Sequence, residues 1–267
     1  MRYQRVVEAV FQARPNRFVA FCLLDGREVK VHVPNTGRCK ELLVPGCKVV
    51  LSRCTPEQET HRSTLYDLVS VYKGNLLVNI DSQAPNVLVQ EALISGRLKP
   101  EWDLIFCKRE QVFDESRFDI YYQRKLEGGL ADIAEDGFVP CPVPPTHTTA
   151  GPLESGIRQG FIEVKGVTLE EGGEVFFPDA PTQRGRKHLL ELIEARKQGF
   201  EAQVLFVVQM AGAIRFHPRC QIDPDFAHAL AICVISGVEV LAFGCRVSPD
   251  EVVLEDPVPV VDLTPYL

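Results

Sequence analysis

One acid and one base lie two residues apart inside an apolar run at residues 160–169, Gly-Phe-Ile-Glu-Val-Lys-Gly-Val-Thr-Leu. Because a strand alternates its faces with a period of two, Glu163 and Lys165 would share one face, with Ile162 and Val164 on the other. Burying charged groups is costly unless the groups are paired or bind a metal. The run therefore indicates either an ion pair within a strand or a site that uses the two charges for chemistry.

A second acid interrupts another apolar strand. The segment Arg-Phe-Asp-Ile-Tyr-Tyr around Asp119 predicts a strand that sets Arg117, Asp119 and Tyr121 on the face opposite Phe118 and Ile120. From about residue 123 to 160 the chain is rich in proline and glycine and predicts a long insertion. This insertion separates the two acid-bearing strands in sequence, but the strands can still be neighbours in a sheet.

The composition is that of an ordinary globular protein. A chain of 267 residues, 45% hydrophobic and 24% charged, is long enough for one large or two modest domains. No window approaches the ~20 apolar residues that a membrane-spanning helix needs. Nine widely spaced cysteines without a Cys-x-x-Cys pair favour reduced thiols over disulfides or a zinc site. We therefore expect a cytoplasmic protein without a membrane partner.

The net charge of −7 argues against a nucleic-acid partner when the chain is taken whole, but the charge is unevenly distributed. Residues 1–81 carry 12 basic and 8 acidic side chains, whereas residues 82–267 carry 17 and 28. The first part has enough basic side chains to contact phosphates, and the second would need a metal ion or a local basic patch to meet a polyanion. An imbalance of this size is also within ordinary scatter, so charge alone does not decide the question.

Residues 1–81 predict a small β-barrel. Five or six short strands fall within about 80 residues, Asp25-Gly26 is a strong signal for a two-residue hairpin, and residues 38–43 suggest one short helical insertion. This pattern is typical of a small closed barrel such as an OB-fold. Many barrels of this kind bind single-stranded nucleic acid.

Residues 82–267 predict a second domain with the order helix, strand, strand, strand, helix, strand, helix, strand. Asn86 is expected to cap the first helix. The second helix, residues 183–198, begins with three cations, which the helix dipole disfavours by about 0.3–1 kcal/mol each. These cations are Arg184, Arg186 and Lys187. Neighbouring acids or a bound phosphate would compensate for them.

This order of elements resembles that of the PD-(D/E)xK nucleases. Their motif brings an acid from the second strand and Glu-x-Lys from the third to one edge, and Asp119 and Glu163-Val164-Lys165 fall at those positions. The resemblance implies an α/β (α+β) domain with a mixed central sheet flanked by helices. It also implies Mg²⁺ or Mn²⁺ held by Asp119, Glu163 and the carbonyl of Val164, which are oxygen ligands suited to a hard cation. Lys165 would orient or deprotonate an attacking water, and the metal would stabilise charge on the phosphate.

Two further acids are candidates for an outer role at this site. Glu91 lies on the first helix of the second domain, and Glu110 lies on its first strand. Either side chain would serve as an outer-shell ligand. The alternatives are a solvated helix face for Glu91 and an ion pair at the strand edge for Glu110.

Specific motifs occur in both domains. They are His32-Val33-Pro34-Asn35-Thr36-Gly37, Ser116-Arg117-Phe118-Asp119, Ile162-Glu163-Val164-Lys165 with Val167-Thr168-Leu169, and Phe177-Pro178-Asp179-Ala180 with Thr182, Arg184-Gly185, Lys187-His188-Leu189 and Glu191-Leu192. Through these motifs the chain resembles the sugar fermentation stimulation protein (SfsA) family. The resemblance implies an OB-like domain, a PD-(D/E)xK-like domain, DNA binding without sequence specificity and a regulatory role in sugar, notably maltose, metabolism. The long insertion departs from a compact member of that family.

Two functions therefore compete. In one, the protein binds single- or double-stranded DNA without sequence specificity, and basic groups of both domains contact the backbone. These groups are Arg17, Lys30, Arg38, Lys40, Arg184, Arg186 and Lys187. In the other, the same surface delivers DNA to a metal-dependent endo- or exonuclease site at Asp119, Glu163 and Lys165. The sequence does not indicate the oligomeric state.

Overall fold

The first 80 residues form a closed barrel whose strands alternate inward apolar and outward polar side chains. The computed structural model describes residues 1–113, 116–126 and 156–267. The strands of this part are β1 (Val6–Ala13), β2 (Val19–Leu24), β3 (Arg27–His32), β4 (Lys48–Arg53), β5 (Tyr66–Lys73) and β6 (Leu76–Asn79), with a short helix α1 (Pro56–Glu59) before β5. Their order is β3-β2-β1-β4-β5-β6, and a parallel pairing of His32 with Asp67 joins β3 to β5. The predicted small barrel is confirmed.

Turn chemistry fixes the register of the barrel. Leu24 pairs with Arg27, so β2 and β3 are joined by the two residues Asp25 and Gly26. Both have a positive φ, 49° and 76°, as a hairpin turn that matches the strand twist requires. The segment after β3 forms a single turn, in which the Leu43 amide donates to the Cys39 carbonyl, rather than a longer helix.

The second part contains a mixed six-stranded sheet with helices on both faces. Its elements are α2 (Ala84–Ile94), β7 (Asp103–Phe113), β8 (Ser116–Lys125), β9 (Ile157–Val167), β10 (Leu169–Glu171), β11 (Glu174–Phe177), α3 (Gln183–Lys197), β12 (Glu201–Val208), β13 (Arg215–Pro218), α4 (Pro224–Ile235), β14 (Glu239–Val247), β15 (Val252–Pro257) and a final 3₁₀ turn (Thr264–Tyr266). The large sheet has the order β15-β14-β12-β9-β8-β7, with β9, β12 and β14 parallel. Strands β10, β11 and β13 form a small separate sheet that the sequence did not predict.

Each face of the large sheet packs against a different helix layer. Leu88 of α2 belongs to a buried cluster with Ile162 and Leu205. Phe161 and Phe206, on the opposite face, belong to the cluster of α3 and α4, and that cluster continues into the barrel interior. Strand β9 is therefore buried on both sides, and its side chains alternate between the two layers as expected. No described helix is long and apolar enough to span a bilayer.

Strand β8 departs from simple alternation at Asp119. Phe118 packs against Phe161 with ring centroids 4.9 Å apart, whereas Ile120 belongs to the cluster on the α2 side. The prediction that Phe118 and Ile120 share a face is therefore wrong. The paired residues of β8 and β9 end at Ile120 and Ile162, and the next amide of β9 that could pair, that of Val164, donates to the Asp119 carboxylate instead. A side chain replaces the backbone at this point of the ladder.

Two other predictions need correction. Asn86 does not cap α2, because the helix begins at Ala84 after Gln83, and the Asn86 side chain bonds elsewhere. The predicted excursion after residue 122 also begins too early, since Lys125 pairs with Ile157 and the two acid-bearing strands are direct neighbours. Most of the predicted insertion at 123–160 lies outside the described residues.

Candidate functional site

Glu163 lies on β9 with its side chain only 1% exposed, facing helix α3. One carboxylate oxygen, Oε1, accepts hydrogen bonds from Lys165 Nζ and from Nδ1 of His188 on α3. The other oxygen, Oε2, is buried and has no hydrogen-bond partner in the described part of the chain. Buried carboxylate oxygens are normally bonded, so Oε2 is an acceptor without a donor.

Asp119 is held beside Glu163 by two neutral donors. Asn86 Nδ2 donates to its Oδ1 over 2.8 Å, and the backbone amide of Val164 donates to its Oδ2 over 2.8 Å. Both donors come from elements that pack on β8, namely α2 and β9. Because a carboxylate oxygen has two lone-pair sites, each oxygen of Asp119 keeps one further acceptor site.

The two carboxylates respond differently to burial. Burial raises the pKa of Glu163, but the hydrogen bond from His188 and the charge of Lys165 outweigh it and hold that pKa below its ordinary value. Burial and the negative charge of Glu163 raise the pKa of Asp119, and the bond from Val164 only partly offsets them. The pair therefore carries negative charge that the described donors do not fully compensate.

Helix α3 positions His188 through its capped first turn. The Thr182 side chain accepts from the Gly185 amide over 3.0 Å, and the Thr182 amide donates to Asp223, which caps α4. A Cβ at Gly185 would lie 2.8 Å from Thr182 Oγ1, so glycine permits this close approach. One turn later, His188 faces Glu163.

Neighbouring acids compensate two of the three cations at the start of α3. Arg186 pairs with Asp225 of α4, and Lys187 lies 3.5 Å from Glu191. The exposed Arg184 instead donates from Nε to His188 Nε2 over 3.4 Å. In that arrangement, Nδ1 of His188 carries the proton that it donates to Glu163.

A cleft of about 230 Å³ lies where the barrel meets β9. Its walls include the loop around Gly37 on the barrel side and Gly166 at the end of β9. Arg14 fixes this loop by donating to the backbone carbonyls of four residues over 2.6 to 2.8 Å, which are those of Arg17, Asn35, Gly37 and Arg38. The loop is thereby held against the cleft.

The predicted DNA contacts of the barrel are exposed, but only some lie near this cleft. Arg38 stands between Gly37 and Cys39, which both line it, and Lys40 follows directly. Arg17 approaches the same loop through the Arg14 contact. Lys30 lies within β3, opposite Phe21, and does not line the cleft.

The two additional acids lie apart from Glu163 and have other partners. Glu91 accepts from the N-terminal ammonium over 2.7 Å, and its side chain is half exposed. Glu110 pairs with Arg117 over 3.3 Å on an exposed edge and has a φ of 60°. It lies opposite Asp119 in the β7–β8 pair, because Arg109 pairs with Ile120 and Gln111 with Phe118. The strand distortion at Asp119 therefore involves both strands.

Sequence reasoning missed two residues of the site. The sequence identifies His188 only as part of a motif, although its spacing of four from Arg184 on a helix predicts that the two share a face. The residue type of Asn86 predicts a helix cap and gives no sign of its contact with Asp119. Within the described ranges, no group of three or more His, Cys, Asp and Glu side chains is arranged to hold a metal, so any cation would also use backbone and water oxygens.

Comparison with known proteins agrees with this architecture. Residues 13–80 match the family model described as the SfsA N-terminal OB domain, and residues 152–251 match the sugar fermentation stimulation protein RE domain. The chain is 44% identical over 256 residues to the sugar fermentation stimulation protein homolog of Alkaliphilus oremlandii (strain OhILAs), covering 96% of this chain and 97% of the relative. It is 42% identical over 262 residues to the homolog of Clostridium perfringens (strain SM101 / Type A), covering 98% and 100%.

A solved structure shares the fold. The structure of Pyrococcus furiosus SfsA in complex with Ca²⁺ superposes with a TM-score of 0.75 at 24% identity, covering 98% of each chain. The matched models and relatives span both domains, as the motifs in the sequence indicated. The chain therefore belongs to the sugar fermentation stimulation protein (SfsA) family.

Proposed function

We propose that this protein binds DNA without sequence specificity and holds a divalent cation beside the DNA path. The observation that carries the proposal is the buried Oε2 of Glu163, next to Asp119, which has no hydrogen-bond partner among the residues that the structure describes. An anionic oxygen in that position favours a cation, and a cation there would offset the negative charge of the site toward a phosphate. With a net charge of −7, such local compensation would favour the approach of a polyanion.

The donor set fits a hard metal ion. Asp119 and Glu163 supply carboxylate oxygens, and the Val164 carbonyl supplies a third oxygen from the same strand. Mg²⁺ prefers a few protein oxygens and keeps several waters, which agrees with so small a set, and Mn²⁺ also suits carboxylate and carbonyl oxygens. The Pyrococcus furiosus relative is in complex with Ca²⁺, another oxygen-binding cation.

Exposed cations of both domains support a phosphate path. Arg184 is exposed beside His188, and the exposed Arg38 and Lys40 belong to the loop around Gly37 on the barrel wall of the cleft. Contacts of this kind would bind the backbone of any sequence, because phosphates carry no base information.

The residues around Glu163 would have distinct roles. His188 fixes one oxygen of Glu163 and so directs the other away from α3. Lys165, whose side chain is 14% exposed, supplies an ammonium next to the carboxylate and would donate to a phosphate oxygen. When bound, the cation would supply Lewis-acid stabilisation of charge on the phosphate.

The presence of all three motif residues favours a second candidate, a metal-dependent DNA endo- or exonuclease. Asp119, Glu163 and Lys165 converge from neighbouring strands, which simple DNA binding does not require. A regulatory role in sugar (maltose) metabolism in the cytoplasm, as the family resemblance implies, would rest on either activity.

Cleavage assays separate the two candidates. Purified protein is given single-stranded and duplex DNA with Mg²⁺ or Mn²⁺, alongside Asp119→Ala, Glu163→Ala and Lys165→Ala. If the protein is a nuclease, all three variants should lose cleavage. The Asp119 and Glu163 variants should keep or slightly gain DNA affinity in metal-free buffer, because each loses a negative charge. Asp103→Ala is the matched control, since that exposed acid lies at the far end of β7 from Asp119 and pairs with Lys125 over 3.4 Å.

The outcomes distinguish the proposals. If the parent binds DNA and neither the parent nor any variant cleaves it, the DNA-binding function is supported and the nuclease hypothesis is rejected. Cleavage by the parent that persists in Glu163→Ala would assign it to another site or to a contaminant. Failure of the parent to bind DNA at low salt would overturn the proposed function as a whole.

A further inference from the structure

A second cavity, of about 570 Å³, lies on the outer side of the barrel. This volume is within the range of roughly 300–1,000 Å³ that small-molecule sites occupy. Its walls include Tyr3 from the N-terminal segment, His32 and Asp67 from β3 and β5, and Asp81 from the connection to α2. These residues take no part in the proposed cation site.

Asp81 provides hydrogen-bond acceptors in one wall. It is 7% exposed, accepts from the Tyr3 hydroxyl over 3.0 Å, and accepts from the Gln83 amide over 2.9 Å. These two bonds use different oxygens, so each oxygen keeps one acceptor site. Burial and the nearby charge of Asp67 raise the pKa of Asp81, and the hydrogen bonds from Gln83 and Tyr3 only partly offset them.

The opposite wall is already neutralised. Both terminal guanidinium nitrogens of Arg62 donate to Asp67, Nη1 to Oδ2 over 2.9 Å and Nη2 to Oδ1. His32 Nδ1 lies 2.7 Å from the same Oδ1. The positive charge of Arg62 is therefore compensated by Asp67. Because Asp81 has no such cationic partner in the described part of the chain, its carboxylate gives the cavity an excess of negative charge. An uncharged group that donates hydrogen bonds fits this cavity better than a phosphate does.

The cavity adjoins the cleft at the end of β9. Pro34 and Asp81 line the cavity, while the next residue of each segment, Asn35 and Ser82, lines the cleft. The Ser82 amide donates to the Pro34 carbonyl over 2.9 Å, so the two segments form a thin shared wall. A nucleic-acid strand in the cleft would have its neighbouring nucleotide at the mouth of the cavity.

We propose that the barrel cavity receives one unpaired nucleoside whose base carries an exocyclic amino group that donates to Asp81. Adenine and cytosine carry such a group on the edge used for pairing, and only an unpaired base can turn that whole edge into a cavity. Thymine presents a carbonyl oxygen at the same place, which a carboxylate does not favour. The nucleoside could belong to a DNA strand or be free in solution, because both offer the same hydrogen-bond donors. If it belongs to a strand, the inference rests on the proposed DNA binding.

The test compares an oligodeoxycytidylate with an oligothymidylate of equal length by fluorescence anisotropy. The parent is expected to bind the cytidylate about tenfold more tightly, which corresponds to about 1.4 kcal/mol. Asp81→Asn should remove the difference by weakening the cytidylate complex. Asp256→Asn removes the same charge from an exposed position outside both cavities and should keep the preference.

A second variant controls for misfolding of Asp81→Asn, and a second probe shows whether a free nucleoside binds. Ser63→Tyr introduces a ring at the rim from an exposed position and should also abolish the preference. Free cytidine and thymidine are titrated by NMR, and cytidine alone should shift resonances of the cavity residues.

Equal affinity of the parent for both oligonucleotides, without cytidine binding, would overturn the cavity inference and leave the proposed DNA binding intact. If neither oligonucleotide binds, the proposed function fails. In that case, cytidine binding would support the cavity as a free-nucleoside site, and its absence would overturn the inference.

Discussion

Two of the three histidine–carboxylate pairs among the described residues, those of His32 and His188, share this contact and differ in what surrounds it. In the barrel, His32 bonds to Asp67, and Arg62 supplies donors to both oxygens of that carboxylate. In the large sheet, His188 and a lysine both donate to one oxygen of Glu163, and the other oxygen has no described donor. The Asp67 side chain is 25% exposed, whereas that of Glu163 is 1% exposed.

The difference separates a carboxylate with donors on both oxygens from one with donors on a single oxygen among the described residues. A carboxylate with donors on both oxygens and partial access to water needs nothing more. A buried carboxylate oxygen without a donor carries a desolvation cost that a bound cation would remove. The contact between histidine and acid does not by itself indicate a function, and the surroundings of the second oxygen distinguish the two pairs.

The largest expected effect is on the stability of the folded protein when either histidine is replaced by alanine. His188→Ala removes a donor from a buried charge and should lower the free energy of unfolding by about 3 kcal/mol, because one partner of a buried pair is lost. His32→Ala should cost about 1 kcal/mol or less, since its pair is partly exposed and Arg62 remains. Urea denaturation measures both changes in the free energy of unfolding. Equal losses of stability in the two variants would contradict the distinction between the two pairs.

The next effect concerns the arginine beside each pair. Arg184 contacts only a histidine side chain among its described hydrogen bonds and is exposed, so it is available to a phosphate, whereas Arg62 is bound to Asp67. Arg184→Ala should reduce the slope of log affinity against log salt by about 0.7–0.9 and weaken binding equally across sequences. Arg62→Ala should leave the slope unchanged.

Fluorescence anisotropy at several salt concentrations measures the slope for both variants. A changed sequence preference with an unchanged slope in Arg184→Ala would contradict a phosphate contact. Lys187→Ala is expected to have a smaller effect than Arg184→Ala, because Lys187 lies near Glu191 on the same helix.

The smallest effect is the pH dependence of the barrel pair. Burial raises the pKa of Asp67, but the hydrogen bonds from Arg62 and His32 outweigh it, so the folded pKa lies below the unfolded value of about 3.9. Its contribution is present above about pH 4 and is lost as the pH falls through the lowered pKa. The stability difference between the parent and Asp67→Asn should shrink below pH 4, and a difference that instead grows there would contradict the pairing.

The sequence predicted the elements that depend on local patterns. The Asp25-Gly26 hairpin and the barrel strands follow from turn chemistry and hydrophobic alternation. The placement of Glu163 and Lys165 on one face follows from the period of the strand. These features need no knowledge of distant residues.

The rest depends on tertiary contacts that no local pattern contains. The slip at Asp119 arises because its carboxylate accepts the Val164 amide, which lies 45 residues away in sequence. Asn86 resembles a cap by residue type, but Pro85 fits the first helical turn and releases the Asn86 side chain to bond Asp119. The assignment of roles to Asp119, Glu163 and Lys165 stays a prediction.

Calorimetric titration of Mn²⁺ into metal-free protein tests the central claim most directly. The parent and Asp67→Asn should bind one ion with similar affinity, whereas Glu163→Gln, which keeps the side-chain shape and removes the charge, should lose that binding. Absence of binding by the parent even at millimolar Mn²⁺, or unchanged binding by Glu163→Gln, would contradict the proposal that the unpartnered oxygen of Glu163 holds a cation.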